Sequence, residues 1–405
     1  MKILMITHFV PYPPTSGALQ RNYNLLREIA KVHEVYLVTL TQKALLPDEK
    51  ALEDAVKHVS TLCKSVSVFD IPSDKNALSW YTLLMMNVFS IFPYSTSRFY
   101  SRKMEREIRN VLKNNSIDLI HVDTIDLARY TEKITEIPVV LNHHNVESEL
   151  LFRRAVHEKN LFAKLYVNIQ AKKLQRYEQR MIPMFNANIA VSSRDEETIK
   201  SMNKSGYTAL VPNGTDTVFF SPSKAEQECS IIFAGGLNWL PNADAMIHFC
   251  KDILPKVREK VPGVIMNIIG TNPPKELIKL SENDSSIKIW GFVSDIREYM
   301  AKAAVHVVPL RIGGGTRLKI LDALAMGKAI VSTSIGAEGL DLVDGKDILL
   351  ADTDEIFAQK VIALLNNKEL RMSLSNNGRA NVEKKYAWNV IGPLLLDVYS
   401  NIVKR

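Results

Sequence analysis

Residues 305–340 read VHVVPLRIGGGTRLKILDALAMGKAIVSTSIGAEGL and decide the fold. The apolar run Val305 to Leu310 has the composition of a buried parallel strand. Gly313, Gly314 and Gly315 then open a turn, and Thr316 stands where a helix N-cap is expected. Residues 317–326 follow with Leu318, Leu321, Ala325 and Met326 on one stripe, and Gly327 is placed for a left-handed cap. A second strand-like run, Lys328 to Thr333, closes a strand, glycine turn, helix, strand unit. Glycines let a ligand approach the backbone, and the free amides and positive dipole end of a helix favour an anion there. Arg317 and Lys319 add fixed charge at the same helix start, which suits a phosphate; a flexible loop before a packing helix is the competing reading.

Outward from this unit, strand-like runs alternate with helical periodicity along the whole chain. The first half carries MKILMIT, HEVYLVTL, SVSVFDI, DLIHVD, PVVLNHHN and NANIAVS. The second half carries SIIFAGGL, VIMNIIG, IKIWGF, VHVVPL, KAIVST and DILLA. Short apolar strands separated by helices indicate a doubly wound parallel sheet, and 405 residues are enough for two such domains. The composition, 46% apolar and 23% charged, excludes a disordered chain.

Three cysteines without metal-like or redox spacing suit a reducing cytoplasm. Lys2 before a short apolar run imitates a signal peptide, but the run breaks at a Pro-rich loop and reads as the first strand. The net charge of +7 is concentrated in two segments. Residues 76–113 hold six basic against two acidic side chains, and residues 151–182 hold eight against two. An anionic partner such as a membrane surface or a lipid-linked diphosphate fits this excess; nucleic acid does not, for lack of a recognition motif. A charge-laced solvated helix is the competing reading. Trp80 to Phe92 is the most apolar stretch, yet its 13 residues are too few to span a bilayer. It reads either as a buried helix pair or as an interfacial helix.

The string from Gly313 to Asp322 resembles the retaining family-4 glycosyltransferases (glycosyl transferases group 1) of the GT-B fold. More narrowly, it is similar to their branch with a G-G-G-T-R-x-K loop. Many members carry E-x7-E here, the second Glu holding the ribose of a nucleotide-sugar; Gly314 and Asp322 stand at those two positions. Asp is one methylene shorter than Glu. Further matches are Phe233, Gly235, Trp239, Pro241 and Asn242 to the branch pattern F-x-G-x-x-x-W-x-P-N, and Asn213, Gly214 and Asp216 to V-P-N-G-x-D. Asn142 to Glu147 matches D-x-H-N-V-E, with Asn142 at the Asp position and His144 at the His.

The resemblance implies an α/β fold of the GT-B type, two Rossmann-like domains facing across a cleft. It gives an acceptor domain over residues 1–215, a donor domain over residues 223–387, and a terminal helix, 388–405, packing back on the first. It implies His144 facing the transferred sugar, Gly17 beside the donor phosphate, and Arg21 and Asn145 on the acceptor side. Gly235, Gly291, Phe292, Val293 and the 313–316 loop would line the donor, with Asp322 on its ribose. Relatives often carry an Arg and a Lys for the diphosphate where this chain has Gly236 and Pro241. Arg317 and Lys319 are therefore assigned that work, and since two helical residues so spaced diverge, Arg317 is preferred.

The implied activity is metal-independent, retaining transfer of a hexosyl or N-acetylhexosaminyl group. The donor is a UDP- or GDP-type nucleotide-sugar, no cofactor is needed, and the acceptor is a glycan or lipid-linked hydroxyl. The expected place is the cytoplasm or the inner membrane face. A non-catalytic scaffold of a glycan-assembly complex is the alternative.

Overall fold

A computed structural model of the chain describes every residue except Ala44, Lys159, Lys224, Glu226, Gln227, residues 313–316 and Arg405, and the side chains of His157 and Glu228. The expectations for Gly313, Gly314, Gly315 and Thr316 thus lie outside the described residues. The chain forms two compact units: Met1–Pro212 with Ile391–Arg405, and Asn213–Val390.

The first unit is built on seven parallel strands: β1 (Lys2–Thr7), β2 (Glu34–Thr41), β3 (Ser65–Asp70), β4 (Leu119–Val122), β5 (Val139–Asn142), β6 (Ala187–Ala190) and β7 (Thr208–Leu210). Their order, β3-β2-β1-β4-β5-β6-β7, reverses direction between β1 and β4. The second unit has β8 (Glu228–Ala234), β9 (Ile265–Ile269), β10 (Ile287–Gly291), β11 (Ala303–Val308), β12 (Ala329–Ser332) and β13 (Leu349–Leu350), ordered β10-β9-β8-β11-β12-β13. Its reversal falls between β8 and β11. In open parallel sheets a ligand site forms beyond the carboxyl ends of the strands at such a reversal. That places the residues after β1 and β4, and after β8 and β11, at the two positions where chemistry is expected.

Both sheets carry the continuous apolar runs that burial on two faces demands. β4, β5, β6, β11 and β12 are buried at every position. The terminal helix Trp388–Val403 buries Ile391, Leu395, Val398 and Ile402, the stripe its sequence shows. Within the first unit the Tyr399 hydroxyl and His121 Nδ1 of β4 lie 2.7 Å apart. A Cβ at Gly392 would lie 2.7 Å from Glu28 carbons, so glycine permits the close contact with helix Gly17–Ala30.

One expectation is overturned. Trp80–Phe92 is not a buried helix pair: in the helix Ala77–Asn87 only Asn87 is buried, while Leu78, Tyr81, Met85, Met86, Phe89 and Ile91 are exposed. Among the described residues no helix is long and apolar enough to cross a membrane. The three cysteines are free.

Candidate active site

In the second unit the helix after the glycine loop spans Leu318–Ala325, and Arg317, with φ −91° and ψ 82°, lies just outside it. Helical periodicity therefore does not govern the direction of Arg317, and the reason for preferring it over Lys319 disappears. Both side chains turn inward. Arg317 is buried. Lys319 Nζ donates to Asn242 Oδ1 at 2.7 Å and stands 4.5 Å from the centre of the Phe233 ring.

Asn242 is fixed in turn, its Nδ2 donating to the Gly236 carbonyl at 2.8 Å. The ammonium thus lies at the end of β8, the sheet's reversal point. A Cβ at Gly235 would lie 2.8 Å from Lys319 Nζ and 2.9 Å from Asn242 Nδ2. Glycine is needed there for the lysine to arrive. Burial, and then the neighbouring Arg317, pull the Lys319 ammonium down to about 7. A Gly235→Ala variant should lose little of its thermal midpoint, since the Lys319 and Asn242 side-chain ends must shift and the Phe233 ring, 3.3 Å away, need give only a few tenths of an ångström. It should bind nucleoside diphosphates about tenfold more weakly (~1.4 kcal/mol) by displacing Lys319, as calorimetry would record.

The remaining donor-side expectations are dispersed around this centre. Gly291 ends β10 with φ +68°, a conformation that favours glycine. Phe292 beside it is exposed, and Val293 packs against the unit's core. Asp322 Oδ1 accepts a 2.7 Å hydrogen bond from the Thr215 hydroxyl. The carboxylate proposed for ribose is thereby anchored by a residue of the V-P-N-G-T-D string that the motif alone did not single out. Asp216 accepts from the amides of Val218 and Phe219, so its part is turn chemistry.

In the first unit the centre is Asp123, directly after β4 and fully buried. Its carboxylate meets His8 Nδ1 at 2.5 Å, His144 Nε2 at 2.8 Å and Asn22 Nδ2 at 2.8 Å. Asn142 Nδ2 reaches the Asp123 carbonyl at 3.2 Å and its Oδ1 at 3.5 Å. Burial alone would push the Asp123 carboxyl up, yet His144 and His8 hold it well below the usual carboxylate range.

Arg21 needs correction as an acceptor-side residue. It is fully buried, donating to Asn142 Oδ1 at 2.8 and 3.1 Å and to the carbonyls of Val211 and Pro212 at 2.9 and 3.0 Å. Burial lowers its guanidinium to about 10 against the attraction of Asp123 and Tyr399. These bonds tie the unit together. Asn142, at the motif's Asp position, supplies the oxygen that Arg21 needs.

The helix Glu147–His157 starts after Val146, which caps it without a side-chain bond. Asn145 is half-buried, its Nδ2 reaching Glu147 Oε1 at 3.5 Å. Gly17 is exposed as the first residue of Gly17–Ala30, the helix end that attracts an anion.

A family profile described as Glycosyltransferase Family 4 matches residues 15–219, and one described as Glycosyl transferases group 1 matches residues 228–367. This chain belongs to glycosyltransferase family 4. The family-4 chain is 22% identical over 403 residues to an uncharacterized 44.6 kDa protein in the cps region of Klebsiella pneumoniae, covering 95% of this chain and 96% of that one. It is 23% identical over 322 residues to the phosphatidyl-myo-inositol mannosyltransferase of Mycobacterium tuberculosis, covering 73% and 77%. Among solved structures it resembles Anabaena HepE in complex with UDP and glucose (TM-score 0.67, 14% identity, 99% and 100% covered). It also resembles a TarM mutant of S. aureus in complex with fondaparinux, alpha-GlcNAc-glycerol and UDP (TM-score 0.69, 13% identity, 98% and 99% covered). The fold is GT-B.

Some site features of this family-4 glycosyltransferase were not singled out from sequence. His8 and Asp123 carry no motif of their own; only their positions after the first and fourth strands, at the sheet's reversal, could have pointed to them. The work of Asn242 was likewise hidden, although the residue belongs to the branch pattern.

Proposed function

We propose that this family-4 glycosyltransferase moves a hexosyl or N-acetylhexosaminyl group from a UDP- or GDP-linked donor to a hydroxyl of a glycan or lipid-linked acceptor, with retention at the anomeric carbon. The unit Asn213–Val390 takes the donor and the unit around Asp123 contributes the acceptor side. The observation that carries the reading is the Lys319 ammonium, half-buried at the end of β8 and held by Asn242. Catalysis of glycosyl transfer must stabilise the negative charge that grows on the departing diphosphate, and a preorganised, partly desolvated cation does this best. Arg317 supplies a second charge, Asp322 holds the ribose and His144 faces the transferred sugar. No side-chain nucleophile and no metal are required: a phosphate oxygen of the leaving group takes the acceptor proton. The ligands named for HepE and TarM support a UDP-type donor.

The test is proton NMR of the protein with a panel of UDP- and GDP-hexoses and simple glycoside acceptors, in the presence of EDTA. A new glycosidic signal with the donor's anomeric configuration supports the reading, and inversion or a metal requirement sinks the mechanism. The engagement of Asp322 by Thr215 favours one rival, a scaffold whose donor site is spent on internal contacts; that rival predicts no product with any donor.

The same reading places the protein at the cytoplasmic face of a membrane. Lys173 Nζ donates to the carbonyls of Asn87, Val88 and Ser90, fastening the helix Leu161–Met181 to the exposed apolar stretch. Leu161, Phe162 and Leu165 of that helix are also exposed, and its accessible charges, Lys172, Arg176 and Arg180 among them, are positive. Apolar side chains flanked by cations suit an anionic bilayer interface. Pelleting with phosphatidylglycerol vesicles but not with phosphatidylcholine ones, reduced at least tenfold by the double substitution Phe89→Ser, Phe162→Ser, is the expected result. Equal partitioning of the variant would remove the membrane reading.

A further inference from the structure

Arg129 belongs to the 3₁₀ helix Ile125–Tyr130 that follows β4, beyond the carboxyl end of the strand where the sheet reverses. Its guanidinium carbon stands 4.2 Å from the centre of the Phe92 ring and 3.8 Å from that of Tyr100. Both rings are themselves held. Tyr100 stacks on Tyr130 at 5.7 Å, and its hydroxyl donates to Glu105 Oε2 at 2.5 Å, while Phe92 meets Tyr177 edge-on at 6.2 Å. The Tyr130 hydroxyl joins the same segment at 2.7 Å to the Phe99 carbonyl, and the Phe99 ring lies 6.0 Å from His8. A guanidinium placed over aromatic rings is fixed through its faces and keeps its N–H donors for other partners. Among the described residues those donors meet no acceptor and no carboxylate.

A second group close by is also unanswered. Tyr177 is 4% exposed, and its hydroxyl has no hydrogen-bond partner among the described residues. Burial pushes this hydroxyl up and the charges of Arg180 and Arg129 pull it back, so it lies within the field of the same guanidinium. A buried donor left unmet is costly and calls for a partner. The acidic neighbours are largely committed. Glu105 accepts from Tyr100 and from Arg109, Glu132 pairs with Arg180 at 3.1 Å, and burial raises the Asp126 carboxyl. Arg102 and Lys133, exposed and outside any ion pair among the described residues, add positive charge around the Tyr100–Glu105 pair.

An uncharged ligand would leave the Arg129 charge unanswered and a metal cation would be repelled, so the site suits an anion. The fork of a guanidinium matches phosphate and carboxylate alike. What surrounds the site decides between them. Phe89 and Ile91, just before Phe92 in the chain, are exposed, so the unpaired cation borders an open apolar surface. Phosphate carried on an alkyl chain meets both halves at once. We propose that Arg129 and the Tyr177 hydroxyl bind the phosphate of a lipid-carried molecule whose chain lies along Phe89 and Ile91. The phosphate chemistry is common to a lipid-linked acceptor and to a bilayer phospholipid. This site deepens the transferase reading, and rests on it only for calling such a phosphate part of an acceptor.

The experiment is calorimetric titration of the full chain with octyl phosphate, dihexanoylphosphatidylglycerol, octanoate, inorganic phosphate and UDP, repeated on Arg129→Gln and Tyr177→Phe. Expected are binding of octyl phosphate at least tenfold tighter than of octanoate or inorganic phosphate, an affinity at least tenfold weaker in Arg129→Gln and several-fold weaker in Tyr177→Phe, and unchanged UDP affinity in both. Tyr177→Phe should keep its thermal midpoint, because the hydroxyl it removes bonds nothing in the fold, and so it tests the site even where Arg129→Gln loosens the rings. Octyl phosphate binding tighter than dihexanoylphosphatidylglycerol upholds the site and assigns it to an acceptor's terminal phosphate; the opposite order, with the same loss in Arg129→Gln, upholds it as a site for bilayer lipid. Octanoate or inorganic phosphate binding as tightly, affinities unmoved by both substitutions, or no binding of either alkyl phosphate would each overturn the proposal. Alkyl phosphate binding without UDP binding would uphold the site and remove the transferase reading; UDP binding without alkyl phosphate binding would do the reverse.

Discussion

Lys319→Met lowers kcat/KM with the nucleotide-sugar donor by about 10²–10³, the loss that follows removal of one preorganised charge partner from a transition state (~2.7–4 kcal/mol). The same substitution leaves the thermal midpoint at or above that of the unaltered protein. Burial pulls the Lys319 ammonium down to about 7, so the folded chain holds this group at a cost that methionine, of similar length, escapes. A catalytic defect joined to undiminished stability separates a charge that serves the ligand from one that serves the fold. The sign of the pH effect follows. Between pH 7 and the ordinary lysine range the unfolded chain binds more protons at this position than the folded one, so its contribution to stability rises with pH across that window. Donor affinity moves the other way: above pH 7 the free site must take up a proton before it can pair with a diphosphate, and affinity falls as pH rises.

Asp123→Ala has the largest expected effect on stability. The carboxylate is the common partner of His8, His144 and Asn22, and it offsets the charge of the buried Arg21. Removing one member of a buried, hydrogen-bonded charge group costs about 3–5 kcal/mol, because the partners stay buried without compensation. Thermal unfolding should show the first unit's transition lowered by roughly 10 °C. Because the folded Asp123 carboxyl is held well below its unfolded value, its contribution is fully present above about pH 4 and is lost as pH falls through the folded value. The variant should therefore differ most from the unaltered protein near neutrality and least in strong acid.

The periodic parts of the chain were legible because parallel strands buried on both faces leave continuous apolar runs, and Ala303–Val308 or Val139–Asn142 can hardly be read otherwise. The terminal helix was equally open, its four stripe residues all buried. Three features were not. The choice between Arg317 and Lys319 depended on where the helix starts, and Arg317 lies just outside Leu318–Ala325, so a spacing rule for helices did not apply to it. Arg21 stood where a substrate contact was expected, but a cation and the carbonyls that satisfy it, those of Val211 and Pro212, are far apart in sequence and meet only in the fold. The helix Ala77–Asn87 misled in the opposite direction: apolar composition argues for burial, and only the structure shows that its side chains are left outside.

The central claim is that the second unit receives a nucleoside diphosphate on Lys319. Calorimetric titration of UDP and GDP at pH 8, in two buffers of different ionisation enthalpy and repeated on Lys319→Met, tests it most directly. The account predicts binding of one nucleotide with uptake of close to one proton, and both the uptake and at least tenfold of the affinity lost in the variant. Binding without proton uptake and unchanged in the variant, or no binding of either nucleotide, would contradict it.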